Sequence, residues 1–229
     1  MADYPTSDAK SLGLESNIKE GQYTSESGVM QARRYGAQRF SVTMQHPPLT
    51  KAEMMPVDAF IKSLRGRANS CELILPDKAD PLGAIDGSST PVLNSERARG
   101  SSSIAVDGLV ASVTGIFYAG DMINFGNHSK AYKIVSTVDS EAHDAIAKAD
   151  STGVLLKADG SGDSLLMTRA NQAILTIFPP LVEDVADGQS VVYGASFRLT
   201  VKMKGDQQNY MVEPPNIYSK QVNFLEYVA

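Results

Sequence analysis

The sequence has a single cysteine, Cys71, no tryptophan, and three histidines, His46, His128 and His143, among 229 residues. One cysteine excludes an intrachain disulfide and a thiolate metal cluster. No apolar run reaches the ~20 residues that a membrane helix needs, so no membrane insertion is expected. The start, Met1-Ala2-Asp3-Tyr4-Pro5, has neither the basic nor the apolar region of a secretory signal, which predicts a soluble protein made in the cytosol. Basic charge is scarce as well. The net charge is −5, against general affinity for nucleic acid, which rests on clustered Lys and Arg. Arg33, Arg34, Arg39, Arg65 and Arg67 are the one basic concentration, where nucleic-acid contact competes with the better reading of solvated strand and helix ends or subunit contacts. No phosphate loop and no dinucleotide fingerprint is present.

What the chain does have is turn chemistry and alternation. Eighteen glycines and eleven prolines indicate many turns, and a hydrophobic content of 42% is enough to bury a core. Leu12 to Gln22 predicts a weak strand and Val29 to Tyr35 a better one. From Arg39 to Gln45, Phe40, Val42 and Met44 alternate with polar residues, the period of a half-buried antiparallel strand. Thr50-Lys51-Ala52-Glu53 matches a capping box, and Met54, Val57, Ile61 and Leu64 recur at helical spacing. The helix either starts at Thr50 and is kinked by Pro56, or starts near Pro56 itself. Gly66 is its expected left-handed cap. Ser70 to Leu75 predicts a strand.

Pro76 to Gly100 is rich in Asp, Gly, Ser and Pro and reads as an extended linker. It leads into an all-β module from Ser102 to Pro180, around which the rest of the chain is organised. Ala119 to Gly126 and Tyr132 to Val135 predict a hairpin turning at Gly126-Asn127. Ala173 to Leu181 is a strand stopped by Pro179-Pro180. Ser136 to Leu166 reads as an excursion, with a short helix over 139–150 and a turn at Asp159 to Asp163. Val191 to Lys204 predicts one long strand, with Phe197, Leu199, Val201 and Met203 on one face. Gly205 to Lys220 predicts a polar loop and Gln221 to Val228 a last strand. The alternating strands flank the module, so the ends pair into one domain and the module loops out. The predicted core of that outer domain is Phe40, Val42, Met44, Val57, Ile61, Leu64, Leu73, Leu75, Phe197, Leu199, Val201 and Phe224.

Catalytic chemistry is thin. Glu141-Ala142-His143-Asp144 carries three ligand-type groups, but no two sit at the i, i+4 spacing of a zinc helix; a solvated helix face is the better reading. The Asp159 to Asp163 loop lacks the ligand pattern of a calcium loop. Gly194-Ala195-Ser196-Phe197-Arg198 has one glycine of a nucleophile elbow, and Ser196 falls on the polar phase of the predicted strand. Asn127-His128-Ser129 fits a glycosylation acceptor only formally. No catalytic residue, cofactor or metal is predicted, and the chain is read as not an enzyme.

One run reads Leu49-Thr50-Lys51-Ala52-Glu53, then Asp58 to Arg67, then Glu72-Leu73-Ile74-Leu75-Pro76. It resembles the capped helix, glycine and strand of the distal tail proteins of long-tailed bacteriophages. Ala119-Gly120-Asp121 with Tyr132-Lys133-Ile134-Val135 is similar to that family's inserted barrel. Leu175 to Leu181, Asp187-Gly188 and Phe197-Arg198-Leu199 resemble its return. The resemblance covers most of the chain from about Val29 onward. The 136–166 excursion and the Pro76 to Gly100 linker match no part of it.

The resemblance implies a mainly β protein. A ring-forming β-sandwich or barrel domain with one helix (residues 1–82 and 188–229, helix about 50–66) would be interrupted by a small barrel similar to an oligonucleotide/oligosaccharide-binding fold (83–187). It implies a homo-hexameric ring at the distal end of a virion tail. The ring would join the tail tube protein to tail hub and tip proteins and to receptor-binding or side-fibre proteins. DNA would pass through without specific binding, in keeping with the acidic charge. A rival reading is a carbohydrate-binding module, with Phe117, Tyr118 and Tyr132 as stacking platforms for host-surface glycans; the absence of tryptophan counts against it.

Overall fold

The structure is a computed structural model. It describes residues 3–5, 9–34, 37–85, 89–110, 113–140, 148–149, 155–156, 172–205, 211–214 and 217–228. The protein is mainly β. In chain order the elements are β1 (Ser11–Asn17), β2 (Glu20–Thr24), β3 (Met30–Arg34), β4 (Arg39–Gln45), α1 (Lys51–Ser63), β5 (Ser70–Leu73), α2 (Pro76–Ala79), β6 (Val92–Leu93), β7 (Ser103–Asp107), β8 (Met122–Phe125), β9 (Ala131–Ile134), β10 (Lys148–Ala149), β11 (Leu155–Leu156), β12 (Ala173–Phe178), β13 (Val191–Tyr193), β14 (Leu199–Met203), β15 (Met211–Glu213), β16 (Ile217–Ser219) and β17 (Gln221–Glu226). The chain divides into two compact units. One comprises Met1–Ala79, His128–Ala131 and Ala195–Ala229, the other Asp80–Asn127 and Tyr132–Gly194. The borders fall at 79/80, 127/128, 131/132 and 194/195, where the sequence suggested 82/83 and 187/188 alone.

The first unit is built on a five-stranded antiparallel sheet, in the order β1-β4-β17-β14-β5. Register follows the hydrophobic phase: Leu12 opposes Met44, Leu14 opposes Val42, and Phe224 also opposes Val42. A slip of one residue would turn these side chains outward. Every side chain named above as outer-domain core is buried. The polar phase is less open than alternation suggests. Ser41 on β4 and Thr200 on β14 are buried too, because both strands are interior.

Helix α1 begins at Lys51, with Thr50 as N-cap. The Glu53 carboxylate reaches back to accept from the Thr50 N–H at 2.8 Å and from its hydroxyl at 2.9 Å, and these bonds hold its pKa below the usual carboxylate value. Pro56 lies inside the helix, so the first of the two starts is the one realised, at the cost of one backbone bond. Met54, Val57 and Ile61 form the buried stripe. The helix ends where Arg65 and Gly66 both take positive φ, 51° and 66°, one residue earlier than the glycine cap alone implied.

The second unit is a barrel. Its sheet runs β13-β8-β9-β12-β7-β6. It closes where Val92 bridges Ser190, with Leu93 N–H donating to Gln189 O and Val191 N–H to Pro91 O, both at 2.9 Å. The barrel is nearly closed, and this contact covers part of the β6 and β13 edges. Leu93, Ile104, Val106, Phe117, Ile123, Phe125, Tyr132, Ile134, Leu175, Ile177 and Val191 fill the interior.

Several expectations change, among them the Gly205 to Lys220 loop, which holds the hairpin of β15 and β16. The 76–100 stretch is not a linker throughout: Ile85 and Leu93 belong to the barrel core, and β6 is a wall strand. Its backbone is held by Asp121, whose carboxylate accepts from the N–H groups of Leu82 (3.0 Å), Gly83 (3.2 Å) and Tyr118 (2.9 Å). A Cβ on Gly83 would lie 2.2 Å from Ile116 O, so only glycine fits there. The 191–204 strand is two strands separated by a 3₁₀ turn, Gly194–Ser196, with Gly194 at φ 56°. The first piece closes the barrel and the second joins the five-stranded sheet. Within the 139–150 helix, Lys148–Ala149 is a strand paired with Leu155–Leu156. Residues 141–147 and the Asp159 to Asp163 turn lie outside the described residues.

Candidate assembly surface

Open features of the first unit occur in two places, over β1 to β3 and at the hairpin of β15 and β16. Strand β1 pairs with β4 on one side only, so the other edge of its seven residues has no strand neighbour among the described residues. Two residues later β2 and β3 form a separate two-stranded ribbon, in register from Glu20↔Arg34 to Thr24↔Met30. In sequence β2 follows β1 and β3 precedes β4, so the ribbon lies beyond the Asn17↔Arg39 end of the β1–β4 pair, with Glu20↔Arg34 as its first pair.

Neither face of the ribbon is buried. Tyr23 is 67% exposed and Met30 64%. Gly21, Gln22, Tyr23, Gln31, Ala32 and Arg33 line a shallow depression of about 380 Å³. The turn is closed by Ser25, whose backbone bonds Val29 and Gly28, the latter at φ 79°. A two-stranded ribbon with no apolar face to bury is marginal by itself in water. A second exposed hairpin, β15 with β16, shows Met211, Val212 and Ile217 to solvent. Both hairpins thus present apolar side chains to solvent.

The charged groups inside the unit serve structure. Lys130 Nζ donates to Glu226 Oε2 (2.6 Å), Gln38 Oε1 (2.8 Å) and Gln38 O (2.9 Å), and lies 5.1 Å from the Phe40 ring centre. Glu226 also accepts from the N–H groups of Ala131 and Phe40, each at 2.9 Å. Burial pushes the Lys130 ammonium down, and the carboxylate beside it offsets only part of this. On α1, Asp58 is bridged by Lys220 (2.9 Å) and Lys62 (2.6 Å). Burial pushes its carboxyl up, but hydrogen bonds and charge from both lysines outweigh that and hold it low. Burial pushes the Cys71 thiol up to about 12, which makes it unreactive at neutral pH.

The glycan candidates do not form a platform. Phe117 and Tyr132 are fully buried in the barrel core, Phe117 edge-on to Tyr193 and Tyr132 edge-on to Phe125. The Tyr132 hydroxyl accepts from Val182 N–H at 3.1 Å. Only Tyr118 is exposed, at 42%. Ser196 is exposed in the 3₁₀ turn rather than on a strand, while Glu141 and His143 lie outside the described residues. No group of three metal-ligating side chains occurs among the described residues, and no helix among them is long and apolar enough to cross a membrane. Two signals for the ribbon stand in the sequence, the strands expected at Leu12 to Gln22 and Val29 to Tyr35. It did not show that the first is two strands, nor that the pair stands apart. No protein-family model matches the chain, and no curated protein matches it.

Proposed function

We propose that this chain is a structural subunit of a bacteriophage tail tip. Six copies form a ring at the distal end of the tail, between the tail tube and the proteins that meet the host. The open β1 edge running into an exposed ribbon carries this reading. A subunit built for self-association needs an unsatisfied edge, and a free soluble protein normally blunts one. The resemblance of the helix, barrel and return segments to distal tail proteins supplies the setting. The acidic charge suits a conduit from which DNA must slide freely. In this role the chain performs no catalysis and needs no cofactor; its buried ion pairs and barrel core hold shape.

Electron microscopy of the particle that carries the chain tests the proposal. Six copies around one axis, at the tail's end, are expected; one to three copies would overturn it. The carbohydrate-binding alternative retains a single exposed ring, Tyr118, and a stacking site built on one tyrosine has little to hold a sugar with.

A further inference from the structure

We infer that the first unit cross-links itself, through an isopeptide bond that Lys130 forms to the side chain of Gln38 while Glu226 carries the protons. Three complementary groups meet in one buried place. Lys130 Nζ is the amine; it is 0% exposed and lies 2.8 Å from Gln38 Oε1, the oxygen of the acyl group. Glu226 Oε2 lies 2.6 Å from the same nitrogen, and Glu226 is 1% exposed. Gln38 is buried as well, and its backbone oxygen, at 2.9 Å, holds the amine beside its own side chain. The Phe40 ring, 5.1 Å from Nζ, closes the cluster on another side. Gln38 and Lys130 stand 92 positions apart in sequence, so only the folded chain brings them together.

Only the neutral amine is a nucleophile. Burial disfavours the ammonium and pushes Lys130 down, and the Arg39 charge adds to this. Glu226 is fixed beside Nζ by the N–H groups of Phe40 and Ala131, each at 2.9 Å, and it takes the first proton from the ammonium. The last torsion of a glutamine side chain is broad, so the Gln38 carbonyl carbon turns toward Nζ at little cost. The Nζ–Cδ bond forms. Glu226 then hands its proton to Gln38 Nε2 and takes the second proton from Nζ as the Cδ–Nε2 bond breaks. The ammonia released picks that proton up and leaves as ammonium, which restores the carboxylate; nothing is oxidised or reduced. Gln38 Nε2 donates to Ser16 Oγ at 3.0 Å, and Ser16 is exposed, so the leaving nitrogen already faces a way out. Gln38 rather than Glu226 is acylating, because an ionised carboxylate resists attack and a carboxamide has a nitrogen to shed. Holding the partners in contact supplies the activation that an amide otherwise lacks. The ion pair is the state of the freshly folded chain, and the bond accumulates afterwards, once per molecule.

Intact-mass spectrometry of the purified full chain, followed over time, tests the cross-link. The expected result is the loss of the mass of one ammonia. A tryptic digest should then join the peptide that contains Gln38 to the peptide that contains Lys130, with no cleavage after Lys130. Gln38→Met keeps the volume and removes the acyl group; it should keep a cooperative circular dichroism melt and form no joined peptide. Glu226→Gln removes the proton carrier and should slow the loss by about a hundredfold or more. Ammonia lost equally fast from Gln38→Met would come from another site and overturns the inference. So does the loss of one water with Lys130 joined to Glu226. A wild-type chain that is folded by circular dichroism but keeps its full mass and an unjoined digest overturns it as well. The wild-type digest decides even where a variant does not fold.

Discussion

Replacing Lys130 by methionine is the sharpest test of how the first unit is held. The side chain is 0% exposed, and its ammonium makes three hydrogen bonds, to Glu226 and twice to Gln38. Methionine keeps the volume and removes the charge. It leaves a fully buried carboxylate with two backbone N–H donors but no countercharge. Breaking one partner of such a pair costs about 3–5 kcal/mol. At about 2–4 °C per kcal/mol for a chain of this size, Lys130→Met should melt about 6–20 °C lower. Glu226→Gln should lose a similar amount at neutral pH by stranding the ammonium. The double variant should lose less than the sum, because each single change counts the stranded partner. Between the lowered folded value of Lys130 and the free amine's 10.5, the unfolded state binds more protons than the folded one, so stability rises with pH there. The Glu226→Gln loss should therefore shrink as pH rises toward 10.5. Circular dichroism melts and urea titrations read all of this. A Lys130→Met loss under about 1 kcal/mol, or strictly additive singles, would refute the account of the network.

Asp121→Ala removes the acceptor of three backbone N–H groups and should cost about 2–4 kcal/mol, with the loss of protection at Leu82 and Gly83 visible by hydrogen exchange. Gly83→Ala forces a Cβ onto Ile116 O and should cost about 1–3 kcal/mol, while alanine at Gly13, whose nearest neighbour is 3.8 Å away, should be nearly neutral. The Asp58 contribution is complete above the carboxyl's ordinary value of 3.8 and is lost as pH falls through its lower folded value, so Asp58→Asn should flatten the acid limb of the stability profile. Cys71, raised from 9.0 to about 12, makes stability fall as pH rises above 9, and Cys71→Ala should remove that part of the alkaline limb. Tyr118→Ala should leave any binding on a glycan array unchanged; its loss would revive the carbohydrate reading.

Much of the first unit could be read from periodicity. Phe40, Val42 and Met44 alternate because β4 has one strongly apolar face, and Thr50 with Glu53 marks a helix start that the structure contains. Composition misled at 76–100. Few residues there are apolar, but Ile85 and Leu93 are enough to seat the segment, and Asp121 holds its backbone from a distance in sequence. At 191–204, alternation continues across Gly194 although the chain turns there, because both flanking strands have a buried face. The aromatic candidates failed for a related reason. Nothing in Phe117-Tyr118 or Tyr132 tells which ring faces inward when the strands are short and the barrel is closed. The division of the first predicted strand at Ile18-Lys19 was invisible because no motif marks it.

The number of copies around the tail axis tests the central claim most directly. A reconstruction of the native particle by electron microscopy, or native mass spectrometry of the detached tip, should give six copies of this chain in one closed ring. One to three copies, or a chain found away from the distal end of the tail, would contradict it.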